Sequence, residues 1–147
     1  MGDRLAITVP CDLRYRDAVG AAIQELCSRL ERSGATPGLT YQVVSAFNEA
    51  FNNVVQYAHD GSPGEVEVTV EIHPDRLDIE LMDRGRSFPF DEIETPDLSL
   101  LPESGLGLFI IRSFMSDVQY APGERGEPNR LRMVRLLTRP EGSRDHA

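Results

Sequence analysis

The chain has no lysine: all 15 of its basic residues are arginine. That absence excludes a Walker P-loop and the common protein-kinase fold, since each sets a lysine on the nucleotide phosphates. It also excludes Schiff-base catalysis. Any phosphate-handling site here has to use backbone N–H groups, arginine or a metal ion. Cysteine is almost as scarce. Cys11 and Cys27 are the only two, too few for a disulfide framework and without histidine at zinc spacing. Both read as small buried or neutral side chains, and a reduced, cytoplasmic setting is the expectation. Long apolar runs are missing as well. No stretch approaches the ~20 uninterrupted apolar residues of a membrane span, and no signal-peptide pattern opens the chain. Internal repeats and low-complexity blocks are absent. Positive charge is in deficit: 24 acidic residues stand against 15 basic ones, a net charge of −9. Such an excess repels a phosphate backbone, which argues against direct nucleic-acid binding and suits a basic protein partner.

What remains fits one domain over 147 residues, 40% of them hydrophobic, enough to bury a core without staples. Leu5 to Val9 reads as a strand closed by Pro10. From Asp12, a plausible N-cap, to Arg32, the residues Leu13, Val19, Ala22, Ile23, Leu26 and Leu30 recur at helical spacing. A second helix is expected from about Thr40 to Ala58. Glu65–Ile72 and Arg76–Met82 alternate polar and apolar around His73-Pro74-Asp75, the pattern of an antiparallel, half-buried pair. Residues 84–104 lack any period and hold Pro89, Pro96 and Pro102. A structureless loop of that length inside a compact domain is usually functional. A third helix follows from Gly105 to about Ser116, then strands Val118–Ala121 and Leu131–Thr138 and a frayed tail, 139–147. Neighbouring strands without regular βαβ alternation predict an α+β two-layer sandwich: a mixed, mostly antiparallel sheet with helices on one face.

Three segments stand out chemically. On the second helix, Val43, Val44, Phe47, Ala50, Phe51, Val54, Val55 and Ala58 share the core arc. The other side carries Glu49, Asn52, Asn53 and Gln56, with Asn48 at its edge. A solvated face is the plain reading, yet Asn is a poor residue for a helix interior. Glu49 and Asn53 sit one turn apart and could serve a hard cation or position a water. Asp83 directly follows the strand Leu77–Met82, with Arg84 and Gly85 after it. There a carboxylate can accept from an exocyclic amine while Gly85 lets a flat ring approach, although a tight turn uses the same residues. Ser104-Gly105-Leu106-Gly107 opens an apolar helix, where free N–H groups and the helix dipole favour phosphate.

In this order the three segments resemble the nucleotide-binding boxes of the GHKL ATPases, which have the Bergerat fold. The run from Glu103 to Val118 and Asn129-Arg130-Leu131-Arg132-Met133 narrow the resemblance to the anti-sigma-factor serine/threonine kinases, over about Leu5 to Thr138. The resemblance implies that Glu49 is the general base and that Asn53 holds Mg²⁺ and nucleotide. It implies that Asp83, Gly85 and Phe88 hold the adenine, that residues 90–104 form an ATP lid, and that Ser104, Gly105, Leu106 and Gly107 receive the phosphates of ATP or ADP. It further implies a homodimer that sequesters a sigma factor and phosphorylates a STAS-domain anti-anti-sigma protein, with Arg14 and Arg16 at a partner-binding helix. Two positions depart from the pattern. Glu103 and Ser104 precede the glycines where relatives often carry a basic residue, and Tyr57 stands where a histidine is common, His59 falling two positions later. Arg84, Arg86 and Arg112 are candidates to offset Glu103. Nucleotide binding is therefore better supported than transfer, and a nucleotide-gated binding protein without phosphotransfer is the alternative. A histidine-kinase fragment is disfavoured, since no helix pair with a phosphoacceptor histidine precedes Leu5. His73 reads as a turn residue, and Phe109, Phe114 and Met115 as core.

Overall fold

The computed structural model describes residues 3–58, 64–87, 103–124 and 126–138. Five strands and three helices follow the order β1 (Asp3–Pro10), α1 (Arg16–Arg32), α2 (Leu39–Asn53), β2 (Glu65–Ile72), β3 (Arg76–Asp83), α3 (Glu103–Phe114), β4 (Asp117–Ala121) and β5 (Asn129–Leu136). The strands form one sheet in the order β1-β2-β3-β5-β4. The expected α+β sandwich is present, with one correction: all four pairings are antiparallel, so the sheet is not mixed.

Alternation along the strands makes the sheet two-faced. Val66, Val68 and Val70 of β2, Leu77, Ile79 and Leu81 of β3, and Leu131 and Met133 of β5 are buried in one cluster with Ile23, Phe47, Phe51 and Ile111 of the helices. The helices therefore cover one face. On the other face the Asp78 carboxylate accepts from Arg76 Nε at 3.2 Å and from Arg132 Nη2 at 3.1 Å. The Arg132 pair ties β3 to β5 on that face.

The sequence places α1 and α2 well in their middles and less well at their ends. Asp12 does act as a cap, accepting from the Arg14 N–H at 2.9 Å, but it caps a 3₁₀ turn, Leu13–Tyr15, that precedes α1. Leu13, grouped with the core residues by spacing, is 49% exposed on that turn. The second helix is α-helical only to Asn53 and continues to Ala58 as a π turn. The third helix begins at Glu103, so the last two residues of the expected lid, Glu103 and Ser104, are helical. The closing strand runs Asn129–Leu136, beginning and ending two residues earlier than expected. Phe88, His59, residues 90–102 of the lid and the tail lie outside the described residues.

Helix α2 lacks a local N-cap side chain, because its N-cap is Gly38 at φ +80°. The cap comes from α1 instead: Glu31 Oε1 accepts from the Thr40 N–H at 2.5 Å. Hydrogen bonds from Thr40, with a further one from the Gly38 backbone, hold the Glu31 carboxyl below the usual range. A lowered folded-state pKa contributes stability above the unfolded value and loses it as pH falls through the folded one. Glu31→Ala is expected to lower stability by about 1 kcal/mol at pH 7, or roughly 2–4 °C in melting temperature. The gap between wild type and variant should narrow as pH drops below about 4. Thermal melts at pH 7 and pH 3 test this, and an equal gap at both would show that the charge contributes nothing.

Candidate functional site

The site is assembled from the end of β3, the start of β5, the last turn of α2 and the start of α3. Alternation along β3 puts Leu77, Ile79 and Leu81 on the helix-facing side, and Asp83 is next in that series. A carboxylate therefore closes an apolar stripe, and it is 3% exposed. Its Oδ1 accepts from the Gly85 N–H at 2.9 Å and from Asn129 Nδ2 at 3.1 Å. Register explains the second bond, since Asn129 is the cross-strand partner of Asp83 where β3 and β5 pair.

The structure adds Asn129 to the candidate site. The sequence marks it as part of a run before the last strand, without a role. It is 2% exposed, and both ends of its amide are in use. Nδ2 also donates to the Gly85 carbonyl at 2.9 Å, while Oδ1 accepts from the Ser87 hydroxyl at 2.8 Å and from the Gly123 N–H at 2.7 Å. One amide thus holds Asp83, Gly85, Ser87 and Gly123 together. Extending the Leu131–Met133 alternation back by two residues would have put Asn129 on the buried face.

Burial pushes the Cys11 thiol, at the end of β1, up to about 12, with Asp83 and then Asp12 adding to the effect. Burial does the same to Cys27. Neither forms a thiolate near neutral pH, in line with their reading as neutral side chains.

The polar side of α2 divides into two stripes. Glu49 and Asn53 share one and Asn48 and Asn52 the other, each pair one turn apart. Glu49 faces α3: a Cβ built on Gly107 would stand 2.9 Å from Glu49 Oε2. Asn53 Nδ2 is buried with no hydrogen-bond partner. An orphaned buried amide next to a carboxylate suits a ligand that brings polar atoms of its own, because an unsatisfied group otherwise costs about 1–3 kcal/mol. Rotation of the amide by half a turn presents its oxygen at the same place. These donors fit a hydrated Mg²⁺ carrying phosphate, with oxygen ligands and few protein contacts.

The start of α3 changes the expected part played by Gly107. A helix leaves its first four N–H groups without intrahelical acceptors. With Glu103 the first helical residue, those groups among the described residues belong to 103–105. The N–H groups of Ser104 and Gly105 remain available to an anion, while those of Leu106 and Gly107 turn back along the helix, that of Gly107 to the Glu103 carbonyl. What Gly107 supplies is room for the Glu49 carboxylate. Gly107→Ala is expected to leave the melting temperature unchanged or slightly raised, since alanine favours helix and the obstructed atom ends a flexible side chain. If Glu49 is the base that the resemblance implies, displacing that carboxylate should cut ATP turnover by about 100-fold. A variant with full turnover would show that Glu49 needs no such space.

Of the arginines proposed to offset Glu103, Arg84 donates through Nη1 to the Gly126 carbonyl. Arg86 and Arg112 are exposed. A second group of metal-ligating type, Glu71, His73 and Asp78, places its ligand atoms within 4.8 Å of one another. It lies on the far face of the sheet, where two guanidinium groups already neutralise Asp78.

The chain has counterparts among known proteins. The model of the family described as "Histidine kinase-like ATPase domain" matches residues 11–135. The chain is similar to serine-protein kinase RsbW of Bacillus cereus strain Q1, 28% identical over 80% of this chain and 76% of that one. RsbW of Bacillus cereus strain AH187 is 38% identical over 82 residues, which is 50% of this chain and 51% of that one. Among solved structures, the SiaB-SiaC complex from Pseudomonas aeruginosa superposes with a TM-score of 0.56 at 14% identity, covering 90% of this chain and 89% of that one. The histidine kinase domain of the Erythrobacter litoralis EL346 blue-light activated histidine kinase gives 0.52 at 15% identity, covering 86% and 60%. At such identities the structural likeness speaks for the fold.

Proposed function

Since the chain belongs to the histidine kinase-like ATPase domain family, we propose that it binds ATP with Mg²⁺ and transfers the terminal phosphoryl group to serine or threonine on a STAS-domain anti-anti-sigma protein, holding a sigma factor when not so engaged. The observation that carries the nucleotide half is the buried Asp83 carboxylate, fixed by the Gly85 N–H and by Asn129 at the end of an apolar stripe. A fixed acceptor next to a glycine selects an exocyclic amine on a flat ring. Similarity to the serine-protein kinases RsbW supports the transfer half.

In this reading Asn53 would hold Mg²⁺, which supplies charge neutralisation to the phosphates. Glu49 would take the proton from the attacking hydroxyl. The N–H groups of Ser104 and Gly105 would receive phosphate oxygens at the positive end of the α3 dipole. Transfer needs little beyond positioning and charge neutralisation, so a chain without lysine can perform it. A homodimer and a cytoplasmic location complete the proposal. Among the described residues no helix is long and apolar enough to cross a membrane.

One observation favours a second reading. Glu103 is the first residue of α3, which puts an acid where phosphate charge would gather. A protein whose nucleotide orders a partner surface without transfer tolerates that charge better. Calorimetry with ADP and ATP, with and without Mg²⁺, tests the binding half. Incubation with ATP and the STAS-domain protein from the same organism then separates the readings. Phosphoserine or phosphothreonine on that protein supports the kinase. Binding without transfer supports the gated regulator, and no binding by folded protein removes both.

A further inference from the structure

The polar face of α2 is not uniform, and its second stripe has partners of its own on α1. Arg16, the first residue of α1, donates through Nη1 to Asn52 Oδ1 at 2.9 Å, across 36 residues of sequence. Four residues further along α1, a Cβ on Gly20 would stand 3.5 Å from Asn48 Oδ1 and 3.8 Å from the Phe47 ring. The two helices thus run antiparallel and close, with Asn48 and Asn52 turned to α1 while Glu49 is turned to α3. Two of the three asparagines that cost α2 helix propensity are explained by this packing.

Arg16 differs from its neighbour Arg14. The Arg14 side chain is 80% exposed and pairs with Asp12. Arg16 is 32% exposed, and its Nε also pairs with Asp17 at 3.3 Å, so the guanidinium is held from two sides. Asn52 in turn sits at a weak place in α2. The α-helix ends one residue later, and a π turn takes over at Val54. Wider turns of this kind recur at functional sites. The last α-helical turn, which carries Glu49, Asn52 and Asn53, is therefore anchored at its end by a side-chain bond to α1.

We infer that Arg16 is a positioning residue of the nucleotide site: through Asn52 it holds the final turn of α2, and with it the Asn53 amide and the Glu49 carboxylate. The inference rests on the nucleotide reading above.

The test is calorimetric titration with the β,γ-imido analogue of ATP, in excess Mg²⁺ and in EDTA. The proteins are wild type, Arg16→Ala, Arg16→Lys, Asn52→Ala and the double alanine variant. Arg16→Ala is expected to weaken binding in Mg²⁺ by about tenfold, the lower end for loss of a supporting contact behind a metal ligand. Affinity in EDTA, set by the Asp83 end, should stay within about twofold, below the ~1.4 kcal/mol of a tenfold change. Asn52→Ala should reproduce the loss, the double variant should add nothing to it, and Arg16→Lys, which keeps a donor, should recover most of it. Equal losses in Mg²⁺ and EDTA would reduce Arg16 to a packing residue and overturn the inference, as would no loss in either. If the wild type binds the analogue and the variants do not differ, only this inference falls. If folded wild type binds none, the nucleotide reading falls with it.

Discussion

Asp83→Asn is expected to weaken ADP binding by about 100-fold, close to 2.7 kcal/mol. The buried carboxylate is acceptor-only, and its Oδ1 already takes two N–H donors, from Gly85 and Asn129. An asparagine in its place has one oxygen for two clients. If that oxygen stays with Gly85 and Asn129, the new NH₂ faces the exocyclic amine, donor against donor. If the amide turns over, the NH₂ meets the two protein donors instead. In either orientation a buried donor is left unpaired. The substitution changes volume very little, so the fold should survive, which a circular dichroism melt would confirm. Unchanged ADP affinity in a folded variant would mean that Asp83 is a turn acceptor and nothing more.

The second large effect is on rate. Glu49→Gln should leave nucleotide affinity within about threefold and lower phosphoryl transfer by about 10²–10⁴-fold, the range a positioned general base supplies. Glutamine keeps the shape that fills the space over Gly107 but cannot take a proton. The comparison with Gly107→Ala is informative, because that variant keeps the base and moves it. A fall in both variants points to the position and basicity of one carboxylate. A fall in Gly107→Ala alone would assign the effect to α3. Transfer to the STAS-domain protein at full rate in Glu49→Gln would remove Glu49 as the base.

The elements that sequence alone located are those whose periodicity is strong and whose partners are local. Glu65–Ile72 agrees with β2 residue for residue, and β3 extends only one residue beyond Arg76–Met82. Alternation and a short turn are enough for that pair. The core arc of α2 was legible through Phe47, Ala50, Phe51 and Val54, all buried. Ends were less legible. Leu13 has helical spacing but stands before α1 on a 3₁₀ turn. Glu103 and Ser104 lie where acid and hydroxyl favour a helix start, and the helix takes them in.

By itself the sequence determined the α+β architecture, the three polar segments and the exclusion of lysine-dependent phosphate chemistry. These follow from residue type, period and order along the chain. Tertiary structure alone decided which groups meet. Asn129 reaches Asp83 because β5 pairs with β3 in one register, a relation that spans 46 residues. Glu31 caps α2 because the 33–38 turn folds α1 back on it. Gly107 leaves space for Glu49, and Arg16 finds Asn52, because α2 lies between α1 and α3. Side-chain chemistry is local to a residue, but the work of an acceptor, a base or an anchor depends on distances that only the closed sheet and packed helices set.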